Sequence, residues 1–136
     1  MAETLRLEII TPDAVAFSGD VEMVTFPGIE GEMGVYPLHE HLITQIVPGE
    51  IIVIDKGESK SLAVGEGLVE ITASRVEIVT NMAIAVEHID EAKVEEARAR
   101  AAARLRDKLS DEEIASTNAA LARSLAQLNV KRRRRG

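Results

Sequence analysis

The sequence predicts an α+β protein: an N-terminal antiparallel β-sandwich, or flattened barrel, followed by a C-terminal antiparallel two-helix hairpin. Three observations lead there. The first half carries many short β-branched or alternating segments at close spacing, with turn residues between them and no helical pattern interrupting. Near Ile89 the composition changes to Ala, Glu and Arg, which are strong helix formers. The charge divides at the same place: residues 1–88 hold 15 acidic and 4 basic side chains, and residues 89–136 hold 8 and 12. We therefore read two domains, 1–88 and 89–136, whose oppositely charged surfaces suit different partners.

Leu5-Arg6-Leu7-Glu8-Ile9 alternates with period two, the mark of a half-buried strand. Further strands are expected at Val21–Phe26, Ile43–Val47, Ile51–Ile54, Ser61–Val64, Leu68–Thr72 and Val76–Val79. The turns between them are Thr11-Pro12-Asp13, Ser18-Gly19-Asp20, Pro27-Gly28, Pro48-Gly49, Lys56-Gly57 and Ala73-Ser74. Phe17, Phe26 and Tyr36 are the only aromatic residues, so the core must be aliphatic.

The first helix spans Ile89 to Lys108. Asp90 and Glu91 suit its positive end, Arg104, Arg106 and Lys108 suit its negative end, and Glu96 and Arg100 form an i,i+4 pair. Ser110-Asp111-Glu112-Glu113 fits a capping box and opens the second helix. Its apolar stripe is Ile114, Leu121, Leu125 and Leu128, with Ala119, Ala122 and Ala126 on the flanks. A connection of a few residues makes the helices antiparallel, and Lys131–Arg135 is expected to be a frayed basic tail. Alanine lets helices approach closely but buries little area, and at ~25 cal/mol per Å² the interface is weak. The hairpin is therefore expected to be stable only when docked, and to be displaceable by a better partner.

Several chemistries are disfavoured. The chain has no cysteine, no G-x-S-x-G, no H-E-x-x-H and no Walker-type loop, so nothing proposes a catalytic site. His39 and His41 would share one side of a strand, but no third ligand stands at suggestive spacing, and a packed or interface role is favoured over metal. Gly28, Gly31 and Gly34 recur every three residues, but strand-like sequence follows them where a phosphate loop needs a helix. Gly65-Glu66-Gly67 starts like a dinucleotide fingerprint, with Glu70 where the third glycine belongs. Scarce aromatics and an acidic main domain argue against nucleic acid as a partner. No apolar run approaches the ~20 residues of a membrane span, and the N-terminus lacks the pattern of a signal peptide, so a cytosolic location is expected.

PGIEGEMGVYPLHEHL at residues 27–42 resembles the P-G-x-x-G-E-x-G-I-x-P-x-H segment of ATP synthase epsilon subunits. The resemblance extends to TPD at 11–13, FSGDVE at 17–22, PGEI at 48–51, VGEGLVEI at 64–71 and HIDEAK at 88–93. It implies a non-catalytic central-stalk subunit of an F-type ATP synthase. The family's β-sandwich clamps the gamma subunit and rests on the ring of c subunits, helping couple proton-driven rotation to ATP synthesis. Glu32 matches the acidic loop residue that faces the c ring, and His39 the family histidine nearby. The resemblance also implies a peripheral place on the cytoplasmic side of the inner or plasma membrane, with membrane association only through the complex.

The family's C-terminal hairpin lies against the sandwich or extends along gamma into the catalytic alpha/beta head, where it blocks rotation in the hydrolysis direction. A basic, marginal hairpin agrees with that, since an acidic partner loop would attract it and weak packing keeps two states close in energy. Some relatives bind ATP through an I/L-D-x-x-R-A motif. Ile89 and Asp90 match its start, whereas Lys93 replaces Arg and Val94 replaces Ala. Arg100 and Arg123 match two further basic positions, and Gln127 stands where another Arg is expected. Lys lacks Arg's planar fork, so weak ATP binding or none is expected, and no other cofactor or metal is implied.

Overall fold

A computed structural model describes residues 3–38 and 40–135. The first strands are β1 (Leu5–Ile10), β2 (Val15–Val21), β3 (Met23–Gly28), β4 (Gly31–Val35) and β5 (Leu42–Ile46). They are followed by β6 (Gly49–Asp55), β7 (Glu58–Val64), β8 (Gly67–Ile71), β9 (Arg75–Thr80) and β10 (Ala83–Ala85). A 3-10 turn at Val86–His88 leads into α1 (Glu91–Arg104) and α2 (Asp111–Arg135).

The strands form one sheet in the order β10-β7-β6-β3-β5-β8-β9-β1-β2, with β4 paired to β3. β3 meets β5 at a single pair, Gly28 with Ile46, so the sheet folds over there into two layers. Alternation sends one side of each strand inward. Leu7, Ile9, Val21, Val24, Phe26, Val53, Val69, Ile71, Val76 and Ile78 lie fully buried between the layers, giving the aliphatic core the composition required.

Local chemistry sets the turns. At the β6–β7 hairpin Lys56 and Gly57 both take positive φ (53° and 79°), as the tight turn that matches strand twist needs. At the β3–β4 hairpin Gly31 has φ of 130°, and a Cβ on Gly28 would lie 2.8 Å from the Gly31 carbonyl oxygen. The three-residue glycine spacing therefore serves a hairpin.

The structure departs from expectation in several places. β1 and β9 run parallel, Arg6 opposite Arg75 to Ile10 opposite Val79, because the chain ends its circuit of the sandwich beside its start. Ser18-Gly19-Asp20 lies inside β2, where these polar residues pair with Glu8, Leu7 and Arg6. An edge strand with an exposed face tolerates such residues. Pro27-Gly28 ends β3, and β4 and β10 are strands where none was expected.

The helices begin as their sequences require. Asp90 Oδ1 accepts from the Lys93 backbone N–H at 3.2 Å and caps α1. Ser110 Oγ accepts from Glu113 N–H, and a Glu113 carboxylate oxygen accepts from Ser110 N–H, both at 3.2 Å. Hydrogen bonding to the carboxylate from the Ser110 backbone N–H and side chain, with the Arg104 charge, holds the Glu113 carboxyl below its ordinary value. α1 is shorter than expected, and its ion pair is Glu95 with Arg98 rather than Glu96 with Arg100.

The apolar stripe of α2 needs correction. Ile114 and Leu125 are exposed, at 39% and 41%, while Thr117, Ser124, Ala126, Leu128 and Val130 are buried. The reason is that α2 is a middle element. It packs on β6, β7 and the 3-10 turn on one side and on α1 on the other, so a single stripe cannot describe it. The basic tail is also not frayed: α2 continues to Arg135.

Candidate functional site

Two surfaces stand out, and the first carries residues that sequence reasoning singled out. The first is the seat of the hairpin. It begins as a small apolar cluster in which Ala63 of β7, Ile89 and Val130 of α2 are buried, joined by Met82, Ile84, Val86 and Val94. Here β7 offers alanine where the sandwich core offers larger side chains. The backbone also comes close: a Cβ on Gly65 would lie 1.9 Å from Asn81 Oδ1 and 3.4 Å from Arg123 Cγ. Gly67 is packed as tightly, 2.0 Å from the Val79 carbonyl oxygen by the same construction. Close packing accounts for the Gly65-Glu66-Gly67 run.

Polar contacts then dominate. Gln127 Nε2 lies 3.1 Å from Met82 Sδ, and Lys131 Nζ donates to the Val86 carbonyl at 3.1 Å. Arg132 reaches across to α1, 3.2 Å from Glu95 and 3.7 Å from Glu91. Arg133 and Arg134 both reach Glu50 at the start of β6. Arg134 grips it with a two-pronged fork, Nε to Oε2 at 2.7 Å and Nη2 to Oε1 at 3.0 Å. Burial pushes the Glu50 carboxyl pKa up. Hydrogen bonds from Arg134 and Ser61 and the charges of Arg133 and Arg134 outweigh that and hold it below its ordinary value.

Beside these pairs runs a groove of about 520 Å³ between the sandwich and α2. Glu32 and Glu50 line one wall and Leu125, Asn129 and Arg133 the other. Glu32 sits on the exposed β3–β4 hairpin, opposite Pro27 in register. His39 lies outside the described residues. His41 Nε2 is 3.7 Å from Glu70 Oε2, and no cluster of three metal-ligating side chains occurs among the described residues.

The residues matched to an ATP motif are differently employed. Ile89 is buried in the seat and Asp90 caps α1. Lys93 is an exposed residue of the first turn of α1, and its backbone amide binds that cap. Arg123 lies over Gly65, whereas Arg100 lines a cleft between α1 and α2 with Arg104, Asp107, Ser116 and Thr117.

The second surface is the outer face of β5, β8, β9 and β1. Register places Gln45, Leu68, Val79 and Ile10 in one row across it. Leu68 and Val79 are 53% and 47% exposed, and nearby on β5 Ile43 is 64% exposed. Tyr36 and Leu38, just before β5, are also exposed, at 61% and 71%, and Leu38 holds a φ of 68°. Exposed apolar side chains grouped in this way are of the kind that meet another protein. Sequence reasoning missed this surface. The signal was there in the outward positions of Leu68 and Val79, but their facing depends on strand register.

A sandwich with exposed apolar side chains on one face, carrying a helical hairpin on a separate seat, has the build of a protein that assembles with others. The comparison with known proteins narrows this. The beta-sandwich domain of the ATP synthase delta/epsilon chain matches residues 4–86, and its long alpha-helix domain matches residues 87–132. The chain belongs to that family.

Two curated relatives are ATP synthase epsilon chains. The one from Herpetosiphon aurantiacus is 37% identical over 131 residues, covering 96% of each chain. That from Hydrogenovibrio crunogenus is 34% identical over 130 residues, 96% of this chain and 90% of the relative. Among solved structures, a chain of the Euglena gracilis mitochondrial ATP synthase (OSCP/F1/c-ring) superposes with a TM-score of 0.76. It is 25% identical, over 93% of this chain and 80% of that one. A chain of the Tetrahymena thermophila mitochondrial central stalk and c ring shares the fold, with a TM-score of 0.64 at 13% identity. No described helix is long and apolar enough to cross a membrane.

Proposed function

We propose that the chain is a non-catalytic rotor subunit that couples proton-driven rotation to ATP synthesis and restrains ATP hydrolysis through its C-terminal helices. In this reading the sandwich, residues 1–88, holds the gamma subunit and the c ring, with Glu32 and His39 on the side of the ring. The outer apolar row of β5, β8, β9 and β1 supplies a contact for a partner subunit. The hairpin, residues 89–136, leaves its seat and enters the alpha/beta head. The subunit then works at the cytoplasmic face of the membrane, attached only through the complex.

The observation that carries this reading is the construction of the seat. One apolar cluster and several charge pairs hold α2, and α1 packs chiefly on α2 rather than on the sandwich. The apolar cluster of the seat is much smaller than the sandwich core, so the hairpin can undock with that core intact, and its two states stay close in energy. The test is ATP hydrolysis by the catalytic complex assembled with the full chain or with a chain ending at Glu87. Faster hydrolysis with the short chain is expected, and equal rates refute the inhibitory role.

Contact with ATP through Ile89, Asp90, Lys93, Arg100 and Arg123 is weak or absent in this reading. Asp90 is engaged as a helix cap, and Lys93 replaces the forked donor. Calorimetric titration of the isolated subunit checks it, and a micromolar dissociation constant overturns it.

A further inference from the structure

We propose that Arg132, Arg133 and Arg134 form an ionic latch that sets how tightly the hairpin sits, and that Glu50 is its keeper. The proposal deepens the reading above, because it rests on the hairpin leaving its seat. It differs in naming the contact that controls departure.

The argument begins with position. Arg133 and Arg134 lie near the C-terminal end of α2, the point farthest along the chain from the sandwich, yet both return to one carboxylate on β6. The Glu50 side chain is only 9% exposed, whereas Arg133 and Arg134 are 56% and 39% exposed. The carboxylate is thus fixed in the wall of the sandwich, and the guanidinium groups come to it from solvent. A forked arginine on a sheltered carboxylate is the strong form of this pair. Arg132 turns the other way and joins α1 through Glu95 and Glu91. One turn of helix therefore ties α2 to both of its neighbours.

Asymmetry follows from removing each side. Taking away the arginines leaves Glu50 partly sheltered without its main counter-charges, which favours rearrangement of the seat. Undocking of the hairpin frees Arg133 and Arg134 together at one end of a helix, while Arg132 keeps its partners on α1. The freed groups are then available to an acidic surface on a partner, and they cannot serve Glu50 and that surface at once. Docking and capture by an acidic partner are therefore mutually exclusive through the same atoms. The arginine run, read from sequence as a solvated tail, becomes the part of the hairpin most sensitive to charge in its surroundings.

The chain has no cysteine, so Ser59→Cys on the β6–β7 hairpin and Ala99→Cys on α1 give two unique labelling sites at exposed positions. Distance distributions between spin labels on the full chain report docking directly. The parent chain is expected to show one dominant distance at low salt. E50Q, and separately R133Q/R134Q, are expected to raise the undocked fraction about tenfold, equivalent to about 1.4 kcal/mol. Molar salt, with a Debye length of about 3 Å, is expected to open the parent chain and to change either variant much less.

Combining the variants is expected to add little beyond either one, because both remove the same contact. R133Q/R134Q lies outside the sandwich, so it tests the latch even where E50Q disturbs β6. Unchanged distances and an unchanged salt response in both variants overturn the proposal. Opened distances with unaltered hydrolysis by the assembled complex uphold the latch and count only against the inhibitory reading.

Discussion

The sandwich and the hairpin of this chain solve the same problem, burying enough surface to hold a shape, in opposite ways. In the sandwich, inward residues from both layers meet in one aliphatic core, with Phe26 among side chains that have no exposed surface. In the hairpin, α1 has no buried residue, and two of the buried residues of α2, Thr117 and Ser124, are polar. Much of the difference between them is chain connectivity and charge. The sandwich is cross-linked by strand pairing between distant segments, whereas the hairpin has local helical bonds and a narrow seat. A protein built this way can lose one part without losing the other.

That asymmetry can be broken most strongly in the sandwich. Phe26→Ala is expected to cost about 3–5 kcal/mol, read as a large shift in the chemical-denaturation midpoint, and the hairpin should lose its seat with it. Leu128→Ala sharpens the contrast from the other side. Leu128 has no exposed surface on α2, so a loss of about 2–4 kcal/mol is expected. That loss should appear as faster amide exchange in α1 and α2 while β1, β8 and β9 stay protected. Exchange that accelerates equally in both domains would show that they unfold as one unit.

A smaller effect lies at the helix junction. Ser110→Ala removes the hydroxyl that accepts from Glu113 N–H and is expected to cost about 1 kcal/mol, seen as fraying of the first turn of α2 by exchange. The ion pair of Arg104 with Glu113, at 3.2 Å between exposed side chains, adds little to that.

Acid gives the mildest test. The Glu50 carboxyl sits below its ordinary value of 4.5 in the docked state: burial opposes that, but Arg134, Ser61 and Arg133 prevail. A group with a lowered pKa stabilises the state that lowers it above the free value, and stops doing so as pH falls through the docked value. Docking is therefore expected to be full above about pH 4.5 and to weaken below it, with the label distance as readout. The E50Q chain should lack this response. An identical acid response in E50Q would assign it to other carboxylates, such as Glu113, whose pKa is also lowered.

The alternation of Leu5 to Ile9, the turn at Lys56-Gly57 and the capping box at Ser110 were readable because each depends on neighbours a few residues away. Glu32 and the ATP-like residues could be named from sequence but not assembled. Whether Arg100 and Arg123 stand near Asp90 depends on how α1 lies on α2. Ser18-Gly19-Asp20 misled because polar turn residues also fit an edge strand, and nothing local separates the two cases. The Ile114 and Leu125 stripe misled because a helix between two neighbours buries positions on two sides, small polar ones included.

Sequence by itself determined the two-part plan, the aliphatic core, the caps and most of the turns, since periodicity and short-range hydrogen bonding settle these along the chain. Only the tertiary structure decided that β1 closes the sandwich parallel to β9 and that Leu68 and Val79 share an open face. Only it brought Arg133 and Arg134 to Glu50 across more than 80 residues of chain. Charge attraction carries no address in sequence: an arginine run reads as solvated until the fold supplies a sheltered carboxylate within its reach.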